Sequence, residues 1–167
     1  DSVEETEFVE LQRSIDITSR HGLGRYAKSG YMMDIPTDMV AGMVERQLAA
    51  PSELCEIVFF PLGGAVSRVA DDATAYSSRA ATFMYEVRTA WTDPAEREAV
   101  VAWTRETWEH LDEFAMEGVY VNLVLNEGEE RIRKSYGEKK FARLAALKAK
   151  VDPANLFRLN QNIPPAR

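Results

Sequence analysis

A strand pattern followed at once by a capped helix pattern constrains the fold of this chain most. Residues Ala81–Trp91 alternate side chains between two faces, which is typical of a β-strand. The dipeptide Asp93-Pro94 comes next, and it combines an N-cap residue with a proline suited to a first helical turn. The helix is predicted to run to about Met116, with an apolar stripe on one side. Because that stripe needs a partner surface, the pattern predicts a sheet covered by a helix.

The rest of the chain predicts further strands and helices of the same unit. Gly63-Gly64 predicts a tight hairpin turn with positive φ, and hence antiparallel pairing. We therefore expect an α+β fold, in which an antiparallel β-sheet is covered on one face by helices. The other elements expected are an edge strand in the first half of Glu7–Ile17, strands at Arg25–Met33, Leu54–Phe60, Ala65–Val69 and Tyr120–Leu125, and a helix between Pro36 and Pro51.

Composition and charge exclude several classes of function. The chain has 167 residues and a net charge of −7, which suits one domain and argues against a nucleic-acid partner. No apolar run is long enough for a membrane span, and we expect no membrane partner. The single cysteine, Cys55, sits among apolar residues and is expected to be a buried thiol. His21 and His110 lie far apart, so no metal site is expected. No signal peptide is visible, which leaves the location unassigned, with the cytoplasm as the default expectation.

The last third of the chain has a well-ordered set of signals. Phe141, Leu144 and Leu147 are spaced three apart, as on one face of a helix. Asp152 precedes a proline, so this helix should end near Val151. An extended tail with apolar residues follows.

Short motifs in this region resemble those of a known family. In order, they are Tyr120-Val121-Asn122, Tyr136-Gly137, Asp152–Phe157 and Asn160–Pro164. Together they resemble the C-terminal signature of berberine bridge enzyme-type oxidases, which are FAD-linked oxidoreductases of the vanillyl-alcohol-oxidase architecture. Upstream segments, such as Leu62–Val66, are similar to the substrate domain of bacterial members.

This resemblance implies that the chain is part of a longer protein whose domains have different roles. Residues 1–124 would form a substrate-binding α+β domain, and residues 125–167 a C-terminal segment of helix plus tail. The FAD-binding domain of the family would precede Asp1, and we expect this chain to be a piece cut away from it. The implied partners are that FAD domain, on which the C-terminal helix and tail would pack, and a small-molecule substrate. The fragment alone is expected to be inactive and to hold no FAD.

The resemblance also names candidate site residues. Tyr120 and Asn122 match residues that lie against the flavin in the family, and a strand would point both to one face. The next position, a catalytic tyrosine in several members, is Leu123 here, which cannot take a proton. Tyr85 and Glu86 are the candidates for the catalytic group, but neighbouring strand residues face opposite ways, so at most one can serve.

Tyr76 is a weaker third candidate for the catalytic group.

The sequence leaves two functions open for this chain. The first is the substrate-binding part of an FAD-dependent oxidase acting on an alcohol, sugar or secondary metabolite. The alternative is a non-enzymatic α+β module that binds a small ligand or a partner.

Overall fold

The structure is a computed structural model that describes residues 4–14, 16, 20–123 and 128–166. Three strands and six α-helices are described in these ranges. In chain order they are α1 (Phe8–Arg13), β1 (Gly24–Met32), α2 (Thr37–Leu48), β2 (Cys55–Pro61), α3 (Ala65–Arg68), β3 (Phe83–Trp91), α4 (Arg97–Asp112), α5 (Glu129–Tyr136) and α6 (Glu138–Val151).

The three strands form one antiparallel sheet in the order β1-β3-β2. The register pairs Ser29 with Glu86 and Val58 with Glu86 on either side of the central strand. Directly paired residues of antiparallel strands project to the same face, so this register sorts every strand residue onto one of two faces. The expected α+β fold with an antiparallel sheet is confirmed.

Helices α2 and α4 cover one face of the sheet and close the core there. Its centre consists of Met32, Met39, Cys55, Tyr85, Val87, Val100, Trp103 and Leu111. Two indole groups fasten α4 to its neighbours: Trp103 Nε1 donates to the Arg46 carbonyl at 2.8 Å, and Trp108 Nε1 donates to the Ser29 carbonyl at 3.2 Å. The Cys55 thiol is buried here beside Thr89, as the sequence predicted.

Asp93 is a cap as its sequence predicted, since its Oδ1 accepts a hydrogen bond from the Ala95 amide at 2.9 Å, but it caps a 3-10 turn, Pro94–Glu96, that leads into α4 at Arg97. Helix α4 ends at Asp112, four residues before the predicted position. Helix α6 ends at Val151, as the proline at 153 predicted.

Three predicted strands are absent from the described residues. The first half of Glu7–Ile17 contains α1, whose Phe8, Val9 and Leu11 stay exposed, so their alternation reflected no buried sheet face. Gly63 and Gly64 do have positive φ, at 126° and 53°, but the chain then turns into the short helix α3 and not into a strand.

The third misassigned strand is the one predicted at Tyr120–Leu125. Residues Val121–Leu123 form a 3-10 turn closed by the Leu123 amide on the Tyr120 carbonyl at 2.9 Å. Residues 124–127 lie outside the described ranges. The β-rich composition of this stretch favoured a strand, but among the described residues its turn contacts β1 without strand pairing, and the nearest isolated β-bridge joins Tyr31 to Met116.

Candidate functional site

The face of the sheet turned away from α2 and α4, here called the outer face, carries a mixed apolar and polar surface. The register places three rows of side chains across it. These rows are Tyr31, Met84 and Phe60; Ser29, Glu86 and Val58; and Ala27, Arg88 and Glu56. Successive rows lie about 7 Å apart along the strands, since each row is two residues from the next.

Glu86 is the buried acidic group of the outer face. It is 8% exposed, and burial raises the pKa of its carboxyl above the ordinary glutamate value. Arg88 opposes this shift, with Nη1 3.7 Å from Glu86 Oε2, while the Glu56 carboxylate adds to it. Arg88 gives its closer contact to Glu56, where Nε lies 2.7 Å from Oε2. Among the described residues, the ion pair of Glu86 with Arg88 is thus longer than that of Glu56 with Arg88.

Tyr85 lies on the opposite face and is fully buried in the core between the sheet and α4. Its hydroxyl donates to Asp112 Oδ1 at 3.2 Å, and burial, with the nearby Asp112 carboxylate, raises the pKa of the phenol. The expectation that Tyr85 and Glu86 point to opposite faces is confirmed. Of the two, only Glu86 reaches the outer face.

An apolar cavity of about 420 Å³ opens on the outer face over the first row, which includes Met84, and Glu86 lies one row further along β3. Its walls come from the first row of side chains and from two loops, and Tyr76 and Arg79 are contributed by the loop before β3. Tyr31 and Tyr76 meet edge to face at 6.5 Å, and Tyr76 and Tyr120 do so at the same distance. Such a cavity suits a flat apolar ligand group.

Tyr120 lines this cavity, and Asn122 contacts it: Asn122 Nδ2 donates to the Tyr120 hydroxyl at 2.8 Å. The prediction that a strand points both side chains to one face is wrong, because Val121–Leu123 form a 3-10 turn and the two side chains meet through its local geometry. Leu123 follows them, half-buried, with no proton-accepting group.

Ser29 is a site residue that the sequence analysis missed. It is 2% exposed, it lies directly opposite Glu86, and its Oγ has no hydrogen-bond partner among the described residues. A buried hydroxyl without a partner is uncommon and asks for an explanation. No sequence signal marks it, because its importance comes from the pairing of β1 with β3.

A second region joins the loop before β3 to α6. Lys140 is buried and its Nζ donates to Asp71 Oδ1 at 2.7 Å and to the Tyr76 carbonyl at 2.8 Å. Arg143 Nη1 donates to the Asp72 carbonyl at 2.8 Å. These contacts fix Tyr76, and with it the cavity wall, against the C-terminal helix.

The tail after α6 is held by one carboxylate. Asp152 accepts the amides of Leu156 at 2.8 Å and Phe157 at 3.1 Å, and it pairs with Lys148. Lys148 and the two amides lower the pKa of Asp152. The tail is thus ordered as expected, but Leu156 and Phe157 stay exposed, at 77% and 84%, so they are not buried within this chain.

The described residues contain no group of three or more His, Cys, Asp or Glu side chains placed to hold a metal ion. His110 packs edge to face on Phe114 with its Nε2 3.4 Å from the Met39 carbonyl. Within the described ranges, no helix is both long and apolar enough to cross a bilayer.

Comparison with known proteins places this fold and site in a class. The family model "Berberine and berberine like" matches residues 119–164. The chain is 32% identical over 167 residues to the uncharacterized FAD-linked oxidoreductase YgaK of Bacillus subtilis, covering 99% of this chain and 37% of that protein. It is 31% identical over 153 residues to the monolignol oxidoreductase AtBBE-like 13 of Arabidopsis thaliana, covering 83% of this chain and 28% of that protein.

Solved structures agree on the fold. BBE-like #28 from Arabidopsis thaliana superposes with a TM-score of 0.76 at 22% identity, over 89% of this chain and 35% of that one. Berberine bridge enzyme from Eschscholzia californica gives 0.74 at 24% identity, over 86% and 33%.

The relatives are FAD-linked oxidoreductases, and FAD is the cofactor of their class. Within that class the chain belongs to the berberine bridge enzyme-type family, as its motifs predicted. It spans 37% and 28% of the lengths of these two relatives.

Proposed function

We propose that this chain forms the substrate-binding part of an FAD-dependent oxidoreductase that oxidises an alcohol group of an alcohol, sugar or secondary metabolite. The observation that carries the proposal is the position of Glu86, a buried carboxyl with a raised pKa on the outer face, one row along β3 from the apolar cavity that Met84 lines. Titratable groups with such shifts, placed beside a cavity, are typical of catalytic sites. The family supplies the reaction class.

Glu86 is assigned as the catalytic base in this proposal. In its carboxylate form it accepts the hydroxyl proton of a substrate that lies on the outer face. Burial raises the pKa of the group, and this makes its carboxylate a stronger base than an exposed glutamate. Leu123 has no group that could do this, and Tyr85 is enclosed on the other side of the sheet. Tyr76 lines the cavity, but its ring serves as a wall against Tyr31 and Tyr120.

The side chains at the cavity edge fit a flavin. Tyr120 offers an aromatic ring and Asn122 an amide, a donor set that can contact the face and the polar edge of a heteroaromatic ring system. When bound, FAD supplies the two-electron oxidant that receives the hydride of the substrate C–H bond. The substrate O–H bond breaks as its proton passes to Glu86, and its electron pair completes the carbonyl of the product.

Residues of the first row hold the rest of the substrate. Tyr31, Met84 and Phe60 would cover an apolar portion and exclude water from it. Arg88 and Glu56 mark the polar end of the face, where hydroxyl or carbonyl groups of a larger substrate would be hydrogen-bonded. The surface thus suits a ligand with one apolar and one polar end.

The exposed tail is proposed to dock on the FAD-binding domain of the same protein. Several large apolar side chains of α6 and the tail are exposed to solvent. They are Leu147, Val151, Leu156, Phe157 and Leu159. Because the Asp152 hydrogen bonds preset the tail, little ordering cost remains for docking. The division into a substrate domain of residues 1–124 and a C-terminal segment of residues 125–167 is part of this proposal.

Anaerobic reduction of the flavin tests this function. The protein containing this chain together with its FAD-binding domain is mixed with a panel of alcohols in the absence of oxygen, and flavin absorbance is followed. At least one alcohol is expected to bleach the flavin, with Glu86→Gln reducing the rate by about 10²- to 10⁴-fold. A protein that carries FAD but is reduced by no member of the panel would instead favour a non-enzymatic binding module.

A further inference from the structure

We propose that Ser29 is a substrate-binding residue that holds, together with Glu86, the hydroxyl group to be oxidised. This inference rests on the proposed function and adds to it the recognition of a single polar group. It starts from the unpartnered Oγ of Ser29, which is buried on the outer face directly opposite the proposed base.

The register makes Ser29 and Glu86 neighbours on one face. Directly opposite residues of antiparallel strands have Cβ atoms about 5 Å apart, so one substrate oxygen can be a neighbour of both side chains. Ser29 Oγ has no hydrogen-bond partner among the described residues, Glu86 included, so its hydrogen-bonding capacity is unused.

The donors and acceptors also match a hydroxyl. A substrate O–H can donate to the Glu86 carboxylate while its oxygen accepts from the Ser29 hydroxyl. As the proton leaves, charge builds on that oxygen, and the bond from Ser29 becomes stronger. Ser29 would therefore contribute to binding and, to a greater extent, to the chemical step.

Among the neighbouring groups, Arg88 is a charged donor near this oxygen, with Nη1 3.7 Å from Glu86 Oε2, but its shorter contact is to Glu56. On β1, Tyr31 is engaged with Tyr76, and Arg25 lies two rows away from Ser29. On β3 and β2, Arg88 and Glu56 are paired with each other. An apolar group attached to the held carbon reaches the row of Met84, about 7 Å along the strand.

Equilibrium binding of a matched pair of probes tests the inference. Cinnamyl alcohol carries a hydroxyl at about that distance from its ring, and 1-phenylpropene lacks only the hydroxyl. Dissociation constants for both are measured from the change in flavin absorbance in the oxygen-free FAD-containing protein, for wild type and Ser29→Ala. Because the alcohol also reduces the flavin, the absorbance change on binding is read by rapid mixing, before reduction. We expect Ser29→Ala to raise the dissociation constant of the alcohol by about two- to tenfold and to leave the dissociation constant of the hydrocarbon unchanged.

Two further variants control the measurement. Ser29→Cys, with a weaker donor, should fall between wild type and Ser29→Ala. Ser135→Ala removes a buried serine hydroxyl that is already bonded to the Arg131 carbonyl at 2.9 Å, and it should not discriminate between the probes. The proposal would be overturned if Ser29→Ala weakened the binding of both probes equally or did not weaken the binding of the alcohol. It would also be overturned if the wild-type protein did not bind the alcohol.

The flavin-reduction assay of Glu86→Gln and the binding assay of Ser29→Ala together separate this inference from the proposed function. If Glu86→Gln leaves flavin reduction intact, the assignment of the base is wrong. If Glu86→Gln abolishes it and Ser29→Ala shows no preference between the probes, the base assignment stands and the role of Ser29 is rejected.

Discussion

Two adjacent residues of β3 should respond to substitution in opposite ways, because the strand places them on opposite faces. Tyr85→Phe removes a hydroxyl bonded to Asp112 at 3.2 Å. The bond is long, and Asp112 can turn to solvent when it is lost, so the expected cost is about 1 kcal/mol of unfolding free energy. For a chain of this size, that corresponds to a fall of about 2–4 °C in Tm. Turnover should stay within about twofold of wild type, since transition-state contacts are untouched.

Glu86→Gln should leave stability at neutral pH unchanged or higher and lower turnover by about 10²- to 10⁴-fold. Burial raises the pKa of Glu86, so the folded state binds its proton more tightly than the unfolded state. The stability contributed by this group is present below the ordinary glutamate pKa and is lost as the pH rises through the raised value. The amide abolishes that part of the pH dependence.

Urea denaturation across pH and anaerobic flavin reduction measure the two effects separately. Glu86→Asp is the matched control, because it keeps the acid but shortens its reach, and it should retain part of the activity. The assignment of faces to roles would be refuted by the reverse pattern, in which Tyr85→Phe abolishes flavin reduction and Glu86→Gln does not.

Three further predictions concern the charge pair, the glycine turn and the tail. The Glu56 carboxylate raises the pKa of Glu86 and Arg88 lowers it. Glu56→Gln should therefore move the acid limb of the rate–pH profile to lower pH, and Arg88→Gln should move it to higher pH. Movement of the limb in the same direction by both substitutions would contradict this. Gly64→Val should lower the urea midpoint by the equivalent of more than about 1 kcal/mol, since φ is 53° there, and an unchanged midpoint would reject the strained turn. In the protein with its FAD domain, Phe157→Asp should accelerate loss of FAD on dilution, and normal FAD retention would argue against tail docking.

The parts of the fold with strong local signals were predictable. The alternation in β3, the Asp93 cap ahead of α4 and the proline that ends α6 depend on neighbouring residues alone, and the structure agrees with each. The errors arose where β-rich composition was not matched by a pairing partner. Tyr120–Leu125 has strand composition, yet among the described residues its 3-10 turn at Val121–Leu123 contacts β1 without strand pairing.

The candidate site was predictable only in part. Motif resemblance named Tyr120 and Asn122, and strand periodicity showed that one of Tyr85 and Glu86 must face away from the core. Which of them does so depends on the helices that cover the sheet, and this is a property of tertiary packing. Ser29 and Glu56 were missed because they come beside Glu86 and Arg88 only through the pairing of β3 with strands that are distant in sequence.

A crystal structure of the FAD-containing protein with a bound arylalkyl alcohol tests the central claim most directly. The ligand is expected on the outer face of the sheet, with its hydroxyl within hydrogen-bonding distance of Glu86 and its apolar part against Met84. A ligand bound elsewhere, with the outer face covered by protein and Glu86 out of reach, would contradict the account.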